Sequence, residues 1–185
     1  MKHAAQLRAL AHASPWFMPL LKAGASLGLK DWCIGAGAVR TLVWDALHGR
    51  TMPPALADVD FVYFLHGAEN EEELELRLSL AAPGIPWEVT NQATVHRWYA
   101  AQFGRPIAPI PSLEAGVAGW PEFATCVGLA LHGGDVRVVA PHGLEDLFAM
   151  RVRRNPASVS KEEFAARLAQ KRFSERWPQV RTEMA

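Results

Sequence analysis

Apolar residues recur along this chain with two periods, and each change of period marks a change of element. Val39, Leu42, Val43, Ala46 and Leu47 fall at i, i+3, i+4, i+7 and i+8, the stripe of a helix lying on a sheet, and Gly49 closes it. Just before it, DWCIGAG is short, apolar and ends in glycines, which predicts a buried strand. DVDFVYFL and IPWEVTNQ predict a second and a third strand. Between them, GAENEEELELRLSLAAPG predicts a helix whose carboxylates crowd its N-terminal half, where the backbone dipole favours them. Its glutamates read as a solvated helix start rather than a metal cluster. ATVHRWYAAQFG predicts a further helix, and the proline-rich RPIAPIPS a loop leading into EAGVAGWPEFATCVGLAL. Two apolar runs in CVGLALHGGDVRVVAP meet across His132-Gly133-Gly134-Asp135, a hairpin signal. GLEDLFAMRV predicts a short helix, and SVSKEEFAARLAQKRFSERWP a longer one capped by Ser160 with Glu163 three residues on. The first thirty residues predict one or two short helices, with Ser14-Pro15 as a start signal. Strands alternating with helices, then a hairpin and helices, indicate an α/β or α+β protein, a sheet covered by helices.

Composition narrows this picture. The 185 residues are half hydrophobic and include seven Trp, which suits one compact domain over 1–185, with a core at about 29–150 and a helical extension at 151–185. A formal net charge of zero argues against general attraction to nucleic acid or an anionic membrane. That sum hides opposed regions: 15 acids against 10 Lys and Arg in residues 1–150, and 4 against 9 in 151–185. The basic tail reads either as a solvated helix face or as cations reaching toward a bound triphosphate. Cys33 and Cys126 both lie in apolar runs, as buried thiols of a reducing cytosol would. The N-terminus lacks the uninterrupted apolar run of a secretory signal, and Pro121 and Glu122 break the most apolar region, Ala115 to Leu131. A soluble, cytoplasmic protein is expected.

The candidate chemistry gathers at IGAGAVRTLVWDALHG followed by DVDFVYF. A glycine-rich turn opening a helix, with an acid some twenty residues later, invites comparison with a dinucleotide fingerprint. Two features argue against it. The ribose-binding acid of that fold follows the second strand, whereas Asp58 and Asp60 precede FVYFL, and Arg40 stands where the third glycine belongs. Strand side chains alternate faces, so Asp58 and Asp60 project from one side, about 6–7 Å apart along the chain. Glu88, with the same alternation in PWEVT, joins them if the third strand lies beside the second. Three like charges repel unless a cation sits among them, and carboxylate oxygens suit magnesium with substrate phosphates. Asn91 and Gln92 either contact base or sugar or end the strand. His96, His132 and His142 lack partners at metal-ligand spacing, and Trp44, Trp87, Trp98, Trp120 and Trp177 read as core residues.

An apolar strand, a glycine pair opening a helix, an acid-x-acid heading the next strand and a third strand acid together resemble the nucleotidyltransferase superfamily typified by DNA polymerase beta. WCIGAGAVRTLVWDALHG and DVDFVYF are similar to the head segment of CCA-adding enzymes. With WEVTNQATVH, WPEFATCVGL, APHGLEDLF, NP and KRFSERWP, they resemble in order a bacterial family of small nucleotidyltransferase-like proteins, over Asp31 to Pro178. The resemblance implies a polymerase-beta-like fold, a mixed sheet covered by helices with an added C-terminal hairpin and helices. It implies that Gly35 and Gly37 let backbone amides approach a triphosphate. Asp58, Asp60 and Glu88 would hold Mg2+ or Mn2+, Glu88 also helping to deprotonate an acceptor hydroxyl. A serine often lies beside the superfamily's second glycine; here Ala36 and Ala38 flank it, and Arg40 either replaces that phosphate contact or pairs with Asp45 or another surface acid.

The expected activity is transfer of a nucleoside monophosphate from a nucleoside triphosphate to an unidentified hydroxyl acceptor, releasing pyrophosphate. The alternative is a catalytically silent nucleotide-binding or antitoxin-like interaction protein on the same fold. A strand-extending polymerase would need a basic surface and an RNA module, neither of which the sequence displays.

Overall fold

In the computed structural model, residues 1–50, 55–67 and 70–184 are described. A five-stranded mixed sheet with order β3-β2-β1-β4-β5 forms the centre. Its strands are β1 (Trp32–Gly35), β2 (Val59–Tyr63), β3 (Trp87–Asn91), β4 (Gly128–His132) and β5 (Asp135–Val139). β1 runs antiparallel to β2 and β4, β4 antiparallel to β5, and β2 parallel to β3. The parallel pair is joined through α4 (Glu71–Ala81), the crossover such a pair needs. Asn70 caps α4 by accepting from the Glu72 amide at 3.0 Å. Glu69, one of the five glutamates expected at this helix start, lies outside the described residues.

Alternation in β2 is the source of the site. Val59, Phe61 and Tyr63 are buried on one face, with Phe61 stacked on Trp32 at 5.3 Å between ring centres. Asp60 therefore faces the other side. The register pairs Asp60 with Glu88, so the third strand does lie beside the second and the two acids share a face. The hairpin forms as expected, His132 opposite Asp135, with Gly133 and Gly134 at φ 57° and 93°, values two-residue turns demand.

The remaining helices are α1 (Ala4–Ala13), α2 (Phe17–Ser26), α3 (Ala36–Leu47), α5 (Val95–Phe103), α6 (Leu113–Ala118), α7 (Glu145–Phe148), α8 (Lys161–Lys171) and α9 (Phe173–Arg176). α3 begins three residues before the stripe that predicts it, and from Ala38 to Asp45 every residue is buried, because the C-terminal segment packs on its outer side. Asp45 joins the two: Trp177 Nε1 donates to it at 2.7 Å, and Arg50 and Arg176 pair with it at 3.3 and 3.4 Å.

The C-terminal extension is not purely helical. Met150 at φ 51° turns the chain out of α7, and Arg151–Arg153 (β6) pairs in parallel with Arg181–Glu183 (β7). Short three-residue strands leave almost no periodicity to read. The long predicted helix is capped at Ser160 and Glu163 by reciprocal side-chain bonds, but it breaks at Arg172, whose φ is 43°. Among the described residues no helix is long and apolar enough to cross a membrane.

Candidate active site

Asp60 and Glu88 project from the paired strands into a cleft of about 350 Å3, and Asp58, immediately before β2, lines the same wall. The start of α3 closes one end through Ala36, Gly37 and Arg40. Five of the six residues expected to act at the site, Gly37, Arg40, Asp58, Asp60 and Glu88, thus line one cleft, and Gly35 immediately precedes it in the chain. They do not meet at a point: among the described residues no three His, Cys, Asp or Glu side chains are grouped closely enough to hold a single ion.

Burial, followed by repulsion from Asp58 and then Glu88, raises the Asp60 carboxyl from its ordinary 3.8 to about 6, opposed by the positive charges of Lys171 and Arg40. A carboxyl held this way gains from a nearby cation. Burial likewise pushes the Arg40 guanidinium down to about 10. Arg40 is only 7% exposed, and its Nε has no hydrogen-bond partner. Its guanidinium carbon lies 5.5, 4.7 and 5.8 Å from the ring centres of Trp44, Phe173 and Trp177, so cation–π attraction replaces an ion pair. The pairing with Asp45 considered from the sequence does not form, because Trp177, Arg50 and Arg176 take that carboxylate.

The two glycines are placed differently. Gly35 is extended, and a Cβ there would fall 2.2 Å from the Trp120 ring, so its missing side chain makes room for an indole. The left-handed corner is Ala36, at φ 45°, and its amide donates to the Val127 carbonyl at 3.2 Å. Gly37 opens α3 itself. A Cβ there would lie 3.5 Å from Asp58 Oδ1 and 3.8 Å from Arg40 Nη2, placing carboxylate and guanidinium on either side of the helix start.

Two cations in the cleft, Arg167 and Lys171, come from α8. Of the two readings of the basic tail, a solvated helix face or cations reaching toward a bound triphosphate, these two residues are placed as the second requires. Glu122, fully buried, accepts from Thr125 Oγ1 at 2.8 Å and from the Arg167 guanidinium, fixing that arginine from below. Lys171 has no ion-pair partner among the described residues. Beyond Asp58 a smaller cavity of about 130 Å3 is bounded by Arg40, Lys171, Arg176, Phe173 and Trp177, so the positive charge concentrates at that end. A wider depression of about 690 Å3 near Arg8, His12 and Lys30 is remote from these acids, and its Arg8 and Arg137 already bond to Val136, Asp31 and Glu114.

The family described as Nucleotidyltransferase matches residues 22–182. The chain belongs to this nucleotidyltransferase family. A solved NMR structure described as revealing a CCA-adding enzyme head domain is 29% identical, covers 99% of this chain and 97% of its own, and superposes with a TM-score of 0.80. No curated protein matches the chain. The mixed sheet and covering helices are the nucleotidyltransferase fold.

Other residues resolve individually. Asn91 ends β3 structurally: its side chain accepts from the Leu65 and Ala93 amides and donates to the Leu65 carbonyl. His142 bonds the Ala118 carbonyl at 3.0 Å, and His132 lies against Trp32. Trp44, Trp87 and Trp177 are core residues, as expected. Trp98 is not: it is 37% exposed on α5, and Trp120 lines the cleft.

Proposed function

We propose that this protein is a divalent-cation-dependent nucleotidyltransferase that moves a nucleoside monophosphate from a nucleoside triphosphate to a hydroxyl acceptor and releases pyrophosphate. The observation that supports it is the register of Asp60 opposite Glu88, with Asp58 beside Gly37 in the same cleft. Asp58, Asp60 and Glu88 offer carboxylate oxygens, the donors magnesium or manganese prefers, and the raised Asp60 carboxyl fits a site completed by positive charge. When bound, such ions would polarise the phosphate and stabilise both the attacking and the leaving oxygen. Arg40 and Lys171 hold the β- and γ-phosphates at the α3 end, with Arg167 alongside. Glu88, the most exposed of the three acids, takes the proton from the acceptor hydroxyl as its oxygen bonds the α-phosphorus and the bond to pyrophosphate breaks. The buried thiols Cys33 and Cys126, raised above the ordinary range by burial, support a cytoplasmic setting.

Thermal unfolding with Mg2+ or Mn2+ and each triphosphate, alongside pyrophosphate release, tests this reading. Stabilisation by a triphosphate only with metal, lost in Asp60→Asn, is expected. No metal dependence in the wild type overturns it. A second reading, nucleotide binding without turnover, is favoured by the absent serine at the helix start and by the Ala36 amide already bonded to Val127. It predicts the same stabilisation with no pyrophosphate from any acceptor.

A further inference from the structure

The cleft has a second arm. Past Asp60 it continues into a cavity of about 430 Å3 that shares Asp60, Phe103 and Trp120 with it and runs over the same sheet face, across Thr90. Its character is opposite to that of the cationic end. Trp98 and Tyr99 lie along α5 at 6.3 Å between ring centres, and Tyr99 and Phe103 at 4.5 Å. Phe103 is 51% exposed, an aromatic side chain left without cover. Of the charged side chains there, Asp60 sits at the throat and Arg105 donates to the Ser158 carbonyl.

One polar side chain in this arm is unused. Gln92 follows β3 on the face of Glu88 and Thr90, is 5% exposed, and its side-chain amide has no hydrogen-bond partner among the described residues, although its backbone N–H donates to the Tyr63 carbonyl at 2.7 Å. Room for it comes from Gly116 in α6, where a Cβ would fall 2.4 Å from Gln92 Oε1. Neither amide atom of Gln92 is fully enclosed, so the carboxamide is open to the cavity, where a ligand carrying a complementary donor and acceptor can bond it.

We propose that this aromatic arm is the acceptor subsite, and that the acceptor is an uncharged small molecule with a flat apolar body, a hydroxyl, and an amide-like group read by Gln92. The inference rests on the nucleotidyltransferase reading above. In-line displacement puts the attacking oxygen opposite the departing pyrophosphate. Arg40 and Lys171 draw pyrophosphate to the Asp58 end, so the hydroxyl approaches from beyond Asp60, where this arm opens. Its oxygen bonds the α-phosphorus, the α–β bridging bond breaks, and the hydroxyl proton passes to Glu88. Aromatic walls stack a planar body, whereas a nucleic acid strand would need cations along the arm.

The probe is para-hydroxymethylbenzamide, followed by ligand-observed NMR on the full chain, with Mg2+–ATP affinity measured in parallel. Saturable binding to the wild type, weakened about ten-fold in Gln92→Leu and in Trp98→Ala with triphosphate affinity unchanged, is expected. Trp98 is exposed, so its variant remains informative if Gln92→Leu folds poorly. Absence of probe binding, or equal binding to both variants, overturns the assignment. Loss of ATP affinity in Gln92→Leu assigns the arm to the base and overturns it while the transferase reading stands. Displacement of the probe by a single-stranded oligoribonucleotide overturns it in favour of a strand. Failure of any triphosphate to bind the wild type defeats the transferase reading, and the acceptor assignment with it.

Discussion

Replacing Asp60 with Asn should stabilise the metal-free protein at pH 8. The folded environment raises this carboxyl from 3.8 to about 6, chiefly through burial and the fields of Asp58 and Glu88. The native state therefore binds more protons than the unfolded chain between about pH 4 and pH 6, and stability falls as pH rises through that window. Above it the full cost applies, on the order of 3 kcal/mol for a rise of this size. An uncharged amide of the same shape escapes that cost but brings an N–H2 group needing partners, a loss of about 1 kcal/mol. The net gain is about 1–2 kcal/mol, or roughly 2–8 °C in melting temperature for a chain this long. Thermal unfolding of both proteins in chelator, from pH 4 to pH 8, measures it. The variant's advantage should vanish near pH 4 and grow toward pH 7, and magnesium with a triphosphate should reverse it by stabilising the wild type alone. A variant less stable than the wild type at pH 8 without metal, or a difference independent of pH, refutes the picture of crowded carboxylates.

Two further substitutions address the helix start. Gly35→Ala would drive a methyl to 2.2 Å from the Trp120 ring; a loss of about 1–3 kcal/mol in urea unfolding is expected, with reduced triphosphate binding as the indole shifts into the cleft. Arg40→Met keeps the side chain's length within the Trp44, Phe173 and Trp177 rings but removes the charge; stability should change by less than about 1 kcal/mol while triphosphate affinity falls about ten-fold or more by calorimetry.

Some of this site was legible in the sequence because it depends on local rules. A period of two puts Asp58 and Asp60 on one side, and adjacency of β2 and β3 is all that Glu88 needs to join them. The hairpin was legible because Gly-Gly between alternating runs has few other solutions. What was hidden depends on long-range packing. Arg167 reaches the cleft because Glu122, distant in sequence, is buried beneath it; a charge excess in the tail was the only trace of this. That Gly35 also makes room for Trp120 was hidden, since a close approach between distant residues leaves no local mark. The identity of Gln92 as the unpartnered member of the Asn91-Gln92 pair likewise required knowing that Asn91 bonds Leu65 and Ala93.

The charges in the cleft constrain what must accompany a triphosphate there. Arg167 is already matched by Glu122, which leaves Arg40 and Lys171 as the cleft-lining cations without ion partners among the described residues. Facing them are Asp58, Asp60 and Glu88, so the wall around the reacting position is net negative. A polyanion entering alone meets repulsion from its own binding surface, and repulsion strengthens as water is displaced and the effective dielectric falls. Adding surface lysines would not relieve this, because their distance and hydration screen them. Divalent ions between carboxylate and phosphate oxygens change the sign of the interaction at the place where the repulsion originates. On the proposed reading, the same acids that make the empty cleft unfavourable would make the loaded one selective: a triphosphate would be held only as its metal complex, with the α-phosphorus where the field of the ions is strongest.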